Sequence, residues 1–298
     1  MAANPSNLPA DTPIALTGVQ ETLLITLRAK YLDFYHPRPL LADRWAVAVL
    51  DHFGPRLRTP SGLPVPITLL RMRTRTIDEV TSAFLTRHRD APVAVVHLAC
   101  GLDARALRLR EKCGVDVRWI DLDLPDVIDA RRRMTAVLPE PPAVAGGGGK
   151  YAYNMVAADV TTTEWLEDLG ADRPTLVIME GLLMYLSVAD AEALVQRLVD
   201  RFAPCGGEIV FDALSPLYAA LQRRTVRRPG SFDVHVGYAA GSPADVLKLD
   251  KRLQLVKAYT VTDNPAVKLL GFWPRLALWL VSWIPYAGTM NRWMVFEM

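Results

Sequence analysis

The segment from Val93 to Asp123 constrains the fold more than any other part of the chain. Val93 to Leu98 is a β-branched run typical of a buried parallel strand, and Gly101 follows where the backbone must come close to something. A second apolar run ends in acid at Asp121 and Asp123, about 20 residues further on, which is the spacing of a ribose-binding acid. This layout predicts a βαβ unit that binds a nucleoside.

The turn after the first strand narrows the choice of cofactor. A pyrophosphate needs several glycines so that bare N–H groups can approach it, but the turn Ala99-Cys100-Gly101 contains only one. A ligand with a ribose but no phosphate fits better, and S-adenosylmethionine is the common cofactor of that description. The lack of Gly-x-Gly-x-x-Gly and Tyr-x-x-x-Lys motifs counts against the competing hypothesis of a nicotinamide-dependent oxidoreductase.

The composition is typical of one α/β domain with additions. The chain has 298 residues, 51% of them hydrophobic, which is enough for a large core. A formal net charge of +2 is too small to imply nucleic acid, so the expected partner is a small molecule. Three scattered cysteines form neither a disulfide framework nor a metal-ligand spacing, so we expect no metal and a cytoplasmic location. Pro274, Arg275 and Pro285 interrupt the apolar C-terminal stretch, so we expect no membrane span. The oligomeric state stays open.

The order of predicted elements indicates the fold class. Helical patterns at 19–34, 43–53 and 69–88 come before the first strand, and strands then alternate with helices from residue 93 to 213. This alternation predicts a mostly parallel sheet with helices on both faces. We divide the chain into an N-terminal lead and helical cap, residues 1–90, and a Rossmann-like core, residues 91–298, with a substrate-side insertion at about 214–250. Late strands at 253–261 and 292–296 would complete seven strands.

The two acids of the second strand lie two residues apart and therefore point the same way. Asp123 is nearer the carboxyl end of the strand and is the better candidate to accept hydrogen bonds from both ribose hydroxyls. Asp-x-Asp also binds a divalent metal in sugar-nucleotide enzymes, but those enzymes lack a glycine turn one strand earlier. A further alternative is that Asp126 and the aspartates before it only cap the helix that begins at Pro125.

A second candidate cluster follows the buried strand 175–179, which runs directly into Glu180. A carboxylate at this edge lies where open α/β sheets bind ligands. Glu180 can accept from the amino group of a methionine moiety, and its charge favours a nearby sulfonium. The alternative is a helix-capping glutamate with Tyr185 as a core residue. We favour the functional interpretation because a desolvated strand end is a costly place for an unpaired charge.

Other candidates rest on weaker patterns. Asp159 follows the third strand, where an adenine amino group would lie, although 159–163 is equally typical of a turn. Arg71, Arg73 and Arg75 alternate along a helix and cannot share one face, so one of them is a candidate for the amino-acid carboxylate. His235 lies in the late insertion and is expected to act as a base or to orient the acceptor.

The acceptor pocket has two further sets of candidates. Tyr185 is the other residue considered for orienting the acceptor or acting as a base. Four tryptophans of the C-terminal region are expected to pack mainly in the core and to help enclose a dry pocket: Trp273, Trp279, Trp283 and Trp293.

Four sequence blocks carry a family resemblance: Val-Val-His-Leu-Ala-Cys-Gly-Leu-Asp-Ala-Arg at 95–105, Arg-Trp-Ile-Asp-Leu-Asp-Leu-Pro-Asp-Val-Ile at 118–128, Ala-Ala-Asp-Val at 157–160 and Ile-Met-Glu-Gly-Leu-Leu-Met-Tyr at 178–185. In this order they resemble the leucine carboxyl methyltransferase family, in particular its bacterial and fungal secondary-metabolite branch, from residue 18 to the end. The resemblance implies a class I methyltransferase fold that uses S-adenosylmethionine. It places the cofactor contacts on these residues: Arg73, Ala99, Gly101, Asp123, Asp159, Val160 and Glu180.

The chain departs from the family pattern at two positions. Ala99 stands where the family often has glycine at the start of the turn, so the backbone alone must provide that contact. A lysine that some members place in an early helix has no secure counterpart, and Lys30 is the nearest possibility.

The sequence thus predicts a methyltransferase acting on a carboxyl or phenolic hydroxyl oxygen of a small, polyketide-like molecule in secondary metabolism. A carboxylate needs no base because it is ionised at pH 7, whereas a phenol benefits from one. Two alternatives remain: methyl esterification of a protein C-terminal carboxylate, and a non-catalytic binding protein on the same fold.

Overall fold

The computed structural model describes residues 21–54, 67–140, 143–144, 149–225, 237–284 and 286–298. Three helices precede the first strand: α1 (Glu21–Phe34), α2 (Arg44–Phe53) and α3 (Ile67–Arg87). Asp43 caps α2, because its Oδ1 accepts hydrogen bonds from the backbone N–H groups of Trp45 and Ala46. The helical patterns predicted ahead of the core are therefore confirmed, while the domain boundary at residue 90 stays a prediction.

Strands and helices alternate from residue 92 onward. In chain order they are β1 (Pro92–Leu98), α4 (Arg105–Arg108), β2 (Asp116–Asp123), α5 (Pro125–Thr135), β3 (Lys150–Ala157), α6 (Glu164–Glu167), β4 (Thr175–Met179), α7 (Val188–Phe202), β5 (Gly207–Leu214), α8 (Pro216–Thr225), α9 (Pro243–Val246), β6 (Gln254–Thr260), α10 (Phe272–Ser282) and β7 (Asn291–Glu297). The helix predicted at 104–112 is shorter than expected, since α4 gives way to a 3₁₀ turn over Arg110–Lys112.

The strands form one seven-stranded sheet in the order β3-β2-β1-β4-β5-β7-β6. Strands β1 to β5 are parallel, and β7 is antiparallel to both β5 and β6. This arrangement confirms the predicted mostly parallel, seven-stranded sheet. The strand order reverses between β1 and β4, which is where open α/β sheets bind their ligands.

Strand β1 is buried on both faces, as its unbroken β-branched run predicts. Val96 and Leu98 face one side of the sheet and pack with helix α7, whereas Val93 and Val95 face the other side and pack with Phe84 of α3. The core therefore lies in two layers around the central strands. The same two layers hold the carboxyl ends of β1, β2 and β4 in fixed positions.

The register of the central strands brings the predicted site residues to one edge. Leu98 of β1 is opposite Leu122 of β2 and also opposite Met179 of β4. The three strands therefore end almost level. Asp123 and Glu180, which come directly after these positions, emerge on either side of the turn that follows β1.

The C-terminal region differs from the expectation. Three of the four tryptophans expected in the core are exposed, with Trp273 at 75%, Trp279 at 55% and Trp283 at 73%, whereas Trp293 of β7 is 1% exposed. Pro274 does not interrupt the stretch, because it lies in the first turn of α10, where no backbone N–H is needed. No helix in the described part of the chain is long and apolar enough to cross a bilayer.

Candidate functional site

The turn after β1 and the acid at the end of β2 are joined directly. Ala99 and Gly101 both adopt left-handed backbone conformations, with φ of 48° and 54°. The Gly101 N–H then donates to Oδ2 of Asp123 at 2.7 Å, and the Leu124 N–H donates to Oδ1 at 2.8 Å. A carboxylate offers about four lone-pair positions, so the described residues leave two of them open. Asp123 can therefore accept two further hydroxyl donors.

Asp123 is almost fully desolvated, with 8% of the residue exposed. Burial raises the pKa of Asp123, and the hydrogen bonds from the Gly101 and Leu124 N–H groups act in the opposite direction. Hydroxyl donors from a ligand would favour the ionised form in the same way. Asp123 thus has two open acceptor positions, and hydrogen bonds from ribose hydroxyls would stabilise its ionised form.

Asp121, the other acid of β2, has a structural environment. It is fully buried and accepts hydrogen bonds from Trp119 Nε1, Tyr153 Oη and Arg131 Nη2. Arg131 of α5 in turn donates to the backbone carbonyls of Gly101 at 2.7 Å and residue 103 at 2.8 Å. The Asp121 carboxylate therefore fixes the Arg131 side chain, and the Arg131 guanidinium fixes the glycine turn by binding its backbone carbonyls.

Glu180 follows β4 directly and is bound by three donors. Its Oε1 accepts from Arg73 Nε at 2.9 Å and from Thr74 Oγ1 at 2.8 Å, and its Oε2 accepts from Arg105 Nη2 at 2.5 Å. Burial raises the pKa of Glu180, but Arg105 and Arg73 outweigh burial and lower the pKa to about 2. Three of the roughly four lone-pair positions are thus used, and one is left for a ligand ammonium.

Arg73 lies between two acids at this edge. Its Nε edge binds Glu180, whereas its Nη1 approaches Asp212 Oδ2 at 3.6 Å, outside hydrogen-bond distance. Gly181 has a φ of 65°, and a Cβ there would lie 3.1 Å from Arg73 Nη1. The backbone therefore comes close to the guanidinium. The Nη side of Arg73 keeps donors with which it can bind a carboxylate.

Glu180 belongs to a larger buried network of ion pairs. Arg105 contacts three carboxylates, namely Glu180, Asp78 at 2.7 Å and Asp103 at 3.2 Å. Arg108, one turn further along α4, contacts Asp78 at 2.8 Å and Asp103 at 3.0 Å. The short helix α4 thus places two guanidiniums beneath the site, each shared between acids of the cap and the core.

Two pairs of this network tie the cap helices to the core. Lys30 Nζ of α1 lies 2.9 Å from Asp103 Oδ1, and Arg108 Nη1 lies 2.7 Å from Oδ2 of Asp43, the residue that caps α2. Burial raises the pKa of Asp103, but Arg105, Arg108 and Lys30 outweigh burial and hold it well below its usual range. Lys30, which the sequence could not assign securely, is therefore part of this network.

The charge balance of the described network suits S-adenosylmethionine. The network contains five carboxylates and four cations, so it carries one negative charge in excess when all groups are ionised. The carboxylates are Asp43, Asp78, Asp103, Glu180 and Asp212, and the cations are Lys30, Arg73, Arg105 and Arg108. The cofactor carries a sulfonium and an ammonium against a single carboxylate, so its net charge is opposite. Together with the open acceptor positions of Asp123 and Glu180, this balance fits the group.

Asp159 and Val160 follow β3, and two strands, β2 and β1, lie between β3 and the strand that leads to Glu180. The Ala158 N–H donates to the Asp123 carbonyl at 2.9 Å, which places Asp159 beside the end of β2. Oδ1 of Asp159 accepts from both the N–H and the hydroxyl of Thr161 at 2.8 Å, so the residue forms the turn considered as the alternative. Its side chain is exposed, and Val160 is buried in the core.

Tyr185 lies in the 3₁₀ turn that follows Glu180. It is half-buried, and its phenol is close enough to Arg73 to contribute to the raised pKa of that guanidinium. The insertion returns to this turn, because the Tyr238 N–H donates to the Leu186 carbonyl at 2.8 Å. His235 lies outside the described residues.

Most residues of the charged network were not predicted as site residues from the sequence. The missed residues are Thr74, Asp78, Asp103, Arg105, Arg108, Arg131 and Asp212. The sequence contained one indication of this network. Asp103 and Arg105 come just after the glycine turn, where the predicted helix begins and where a buried charge needs a partner. Asp43, Asp78 and Asp212 gave no comparable signal, because only the fold brings Asp43 and Asp78 to Arg108 of α4 and Asp212 to Arg73 of α3.

A comparison with family models and curated proteins identifies relatives. Residues 41–199 match the model of the leucine carboxyl methyltransferase family, which is more than half of the chain. Over 257 residues the chain is 37% identical to the tetracenomycin polyketide synthesis O-methyltransferase TcmP of Streptomyces glaucescens, covering 85% of this chain and 86% of that protein. It is also 32% identical over 284 residues to the S-adenosyl-L-methionine-dependent methyltransferase dpfgK of Gibberella zeae, covering 89% and 92%.

Solved structures support the fold at lower sequence identity. A candidate methyltransferase of Thermobifida fusca YX superimposes with a TM-score of 0.59 at 15% identity, covering 97% of this chain and 96% of that one. A DUF574 family protein of Streptomyces avermitilis gives a TM-score of 0.55 at 13% identity, covering 93% and 96%. With the motif blocks in place at one sheet edge, the chain belongs to the leucine carboxyl methyltransferase family and is an S-adenosylmethionine-dependent methyltransferase of class I fold.

Proposed function

We propose that this enzyme transfers a methyl group to a carboxyl or phenolic hydroxyl oxygen of a small, polyketide-like molecule in secondary metabolism. The observation that carries the proposal is the 37% identity to a polyketide O-methyltransferase over 85% of the chain. The Gly101–Asp123 hydrogen bond and the Glu180 network support the cofactor half of the site. The proposed class of acceptor rests on the similarity to this polyketide O-methyltransferase.

The cofactor is proposed to lie across the carboxyl edge of β1, β2 and β4. Asp123 would accept from the two ribose hydroxyls, and the turn of Ala99 and Gly101 would present its backbone to the methionine portion. Arg73 would bind the amino-acid carboxylate through its Nη atoms, and Glu180 would accept from the ammonium through its remaining lone-pair position. The adenine is proposed to lie beside Asp159 and Val160.

Methyl transfer is a direct displacement, in which the acceptor oxygen bonds to the methyl carbon while the carbon–sulfur bond breaks. When bound, S-adenosylmethionine supplies this activated methyl group. The protein mainly has to hold the acceptor in line, and positioning of this kind is worth up to roughly 7–11 kcal/mol. Tyr185 and His235 are proposed to orient the acceptor. His235 would also remove the proton of a phenol, whereas a carboxylate needs no base at pH 7.

The proposal is tested with methyl-labelled cofactor and a panel of aromatic carboxylic acids, each paired with the phenol of the same ring system. We expect labelled product from at least one class, together with S-adenosylhomocysteine. An ester is cleaved by mild alkali and an ether is not, so the product identifies the oxygen. If a phenol is methylated, His235→Ala should lower kcat most near neutral pH. No product from either class would contradict the acceptor assignment.

The family is described by a leucine carboxyl acceptor, and a protein C-terminal carboxylate is therefore the competing proposal. A peptide with a free C-terminus and its amidated counterpart separate the two proposals. Methylation of the free peptide alone, with no small-molecule product, would support the protein acceptor. Cofactor binding without turnover of any acceptor would support the non-catalytic alternative.

A cytoplasmic location is part of the proposal. The three cysteines are free thiols, and Cys100 and Cys113 are buried in the core, which suits a reducing compartment. Fractionation of producing cells, followed by immunoblotting, tests this location. Recovery outside the cytoplasmic fraction would contradict it.

A further inference from the structure

Helix α10 and the turn after it present an apolar surface to solvent. Arg275 is the charged residue of the helix, and it is exposed as well. Seven large hydrophobic side chains of this segment are each more than half exposed, and together they are called the α10 surface: Phe272, Trp273, Trp279, Leu280, Trp283, Ile284 and Tyr286.

The α10 surface is larger than a monomer usually leaves exposed. An aromatic side chain has roughly 150–250 Å² of surface to bury, so five aromatics exposed by half to three quarters, with Leu280 and Ile284, present ~700 Å² or more. The largest apolar patch of a typical monomer is about 300–600 Å². A standard protein interface buries about 800 Å² on each partner. The surface therefore has the size of one half of a stable interface.

The composition of the α10 surface is also that of an interface core. No aspartate or glutamate occurs between Asp263 and Glu297. Trp, Tyr, Phe and Arg are the residues enriched in interface cores, where acids and lysines are depleted. Three of the seven tryptophans of the chain lie on this one surface.

The inner side of α10 is anchored to the protein. Leu278 packs in one hydrophobic cluster with Leu69 and Met72 of α3 and with Leu270. This contact restrains the backbone of α10, which limits the backbone freedom that is lost on binding. A rigid partner surface suits this better than a bilayer, to which the segment offers only two exposed cations, Lys268 and Arg275.

We propose that two copies of this chain associate through their α10 surfaces around a two-fold axis. A symmetric dimer buries the same surface on both copies, and an apolar surface is compatible with itself in chemical character. Leu278 links α10 to α3, and α3 also carries Arg73 and Thr74, the two residues that bind Glu180. The proposed interface therefore supports the helix that holds the cofactor site. The inference does not depend on the acceptor.

Sedimentation velocity and light scattering on the full chain test the proposal. We expect the wild type to have twice the 33.0 kDa chain mass. The double variant Trp273→Glu/Trp283→Glu should be monomeric with an unchanged far-UV circular dichroism spectrum. Val115→Glu is the matched control, because Val115 is an exposed valine at the amino end of β2, away from α10, and this variant should stay dimeric.

A monomeric wild type would overturn the proposal, as would a dimer that persists in the folded double variant. Pelleting of a monomeric wild type with phosphatidylcholine–phosphatidylglycerol vesicles would assign the surface to lipid instead. If the double variant does not fold, tryptophan emission of the wild type decides. Emission that shifts to the red when the dimer dissociates on dilution or in low urea, in step with the fall in mass, supports the α10 interface, and dissociation without any shift of tryptophan emission overturns it.

Discussion

The backbone N–H of Gly101 donates a 2.7 Å hydrogen bond to Oδ2 of Asp123, although 22 residues separate them in the chain. This contact joins the turn after β1 to the acid at the end of β2. The contact fixes the Asp123 side chain, which has open acceptor positions. It fixes this side chain beside the backbone of the glycine turn, which is proposed to come closest to the ligand. The other acids of the site are arranged around this pair.

Glu180→Gln should destabilise the protein, because it removes the carboxylate that Arg73 and Arg105 share, while Arg105 keeps Asp78 and Asp103. Loss of one partner of a buried ion pair costs roughly 3–5 kcal/mol, which is the upper bound for this loss. Urea unfolding at pH 7 measures this loss. Glu79→Gln is the matched control, because Glu79 pairs with Arg75 on the exposed side of α3. The control should change the free energy of unfolding by less than about 1 kcal/mol. An equal effect of both substitutions would contradict the account.

The same glutamate predicts a pH dependence. Its pKa in the folded protein is lowered to about 2 from an ordinary value of 4.5. A group with a depressed folded pKa stabilises the fold above its unfolded pKa, and this contribution is lost as pH falls toward the folded value. The urea midpoint of the wild type should therefore fall more steeply between pH 4.5 and 2 than that of Glu180→Gln. Parallel profiles of the two proteins would contradict the lowered pKa.

Ala99 and Gly101 should respond differently to exchange of their side chains. Both have left-handed backbones, which cost a non-glycine residue about 1–2 kcal/mol. Ala99→Gly should leave the free energy of unfolding unchanged or raise it by up to about 1 kcal/mol, because relief of strain is offset by backbone entropy. Gly101→Ala should lower stability by about 1–2 kcal/mol and weaken cofactor binding, since its Cβ would lie 2.7 Å from Leu23 Cδ2. A more damaging Ala99→Gly would contradict this.

Arg131→Met should loosen the glycine turn without touching the ligand surface. The substitution removes the cation that pairs with buried Asp121, which keeps its hydrogen bonds from Trp119 and Tyr153, and it removes the guanidinium donor to the Gly101 carbonyl, so we expect a loss of up to roughly 3–5 kcal/mol. Hydrogen exchange at the amides of the turn should become faster. Arg132→Met is the control, because Arg132 is half-exposed and pairs only with Asp129 on the surface in the described structure. Unchanged exchange in Arg131→Met would contradict its positioning role.

The sheet and the acids at its edge could be predicted from local patterns. The β-branched run from Val93 marks β1, and parallel strands place their carboxyl ends at one edge of the sheet. Asp123 and Glu180 each come directly after such a run. Their places at one edge therefore followed from the strands alone.

The charged network could not be predicted in the same way. Arg105 is 27 residues from Asp78 and 75 from Glu180, and only the packing of α3 and β4 against α4 brings the three together. The C-terminal region was misjudged for a different reason. Pro274 was treated as an interruption, but in the first turn of a helix a proline breaks no backbone hydrogen bond of the helix. Which side of α10 is exposed depends on the elements that the helix packs against. The sequence of the helix alone does not specify those elements.

Calorimetric titration of S-adenosylmethionine into the wild type, Asp123→Asn and Asp129→Asn tests the central claim most directly. Asp129 is the control, a half-exposed acid of the adjoining helix α5 that pairs with Arg132. We expect micromolar binding by the wild type and the control. Asp123→Asn should bind at least about 10-fold more weakly, since each hydrogen bond to a charged acceptor is worth about 1.5–3 kcal/mol. Equal affinity of all three proteins, or no binding by the wild type, would contradict the account.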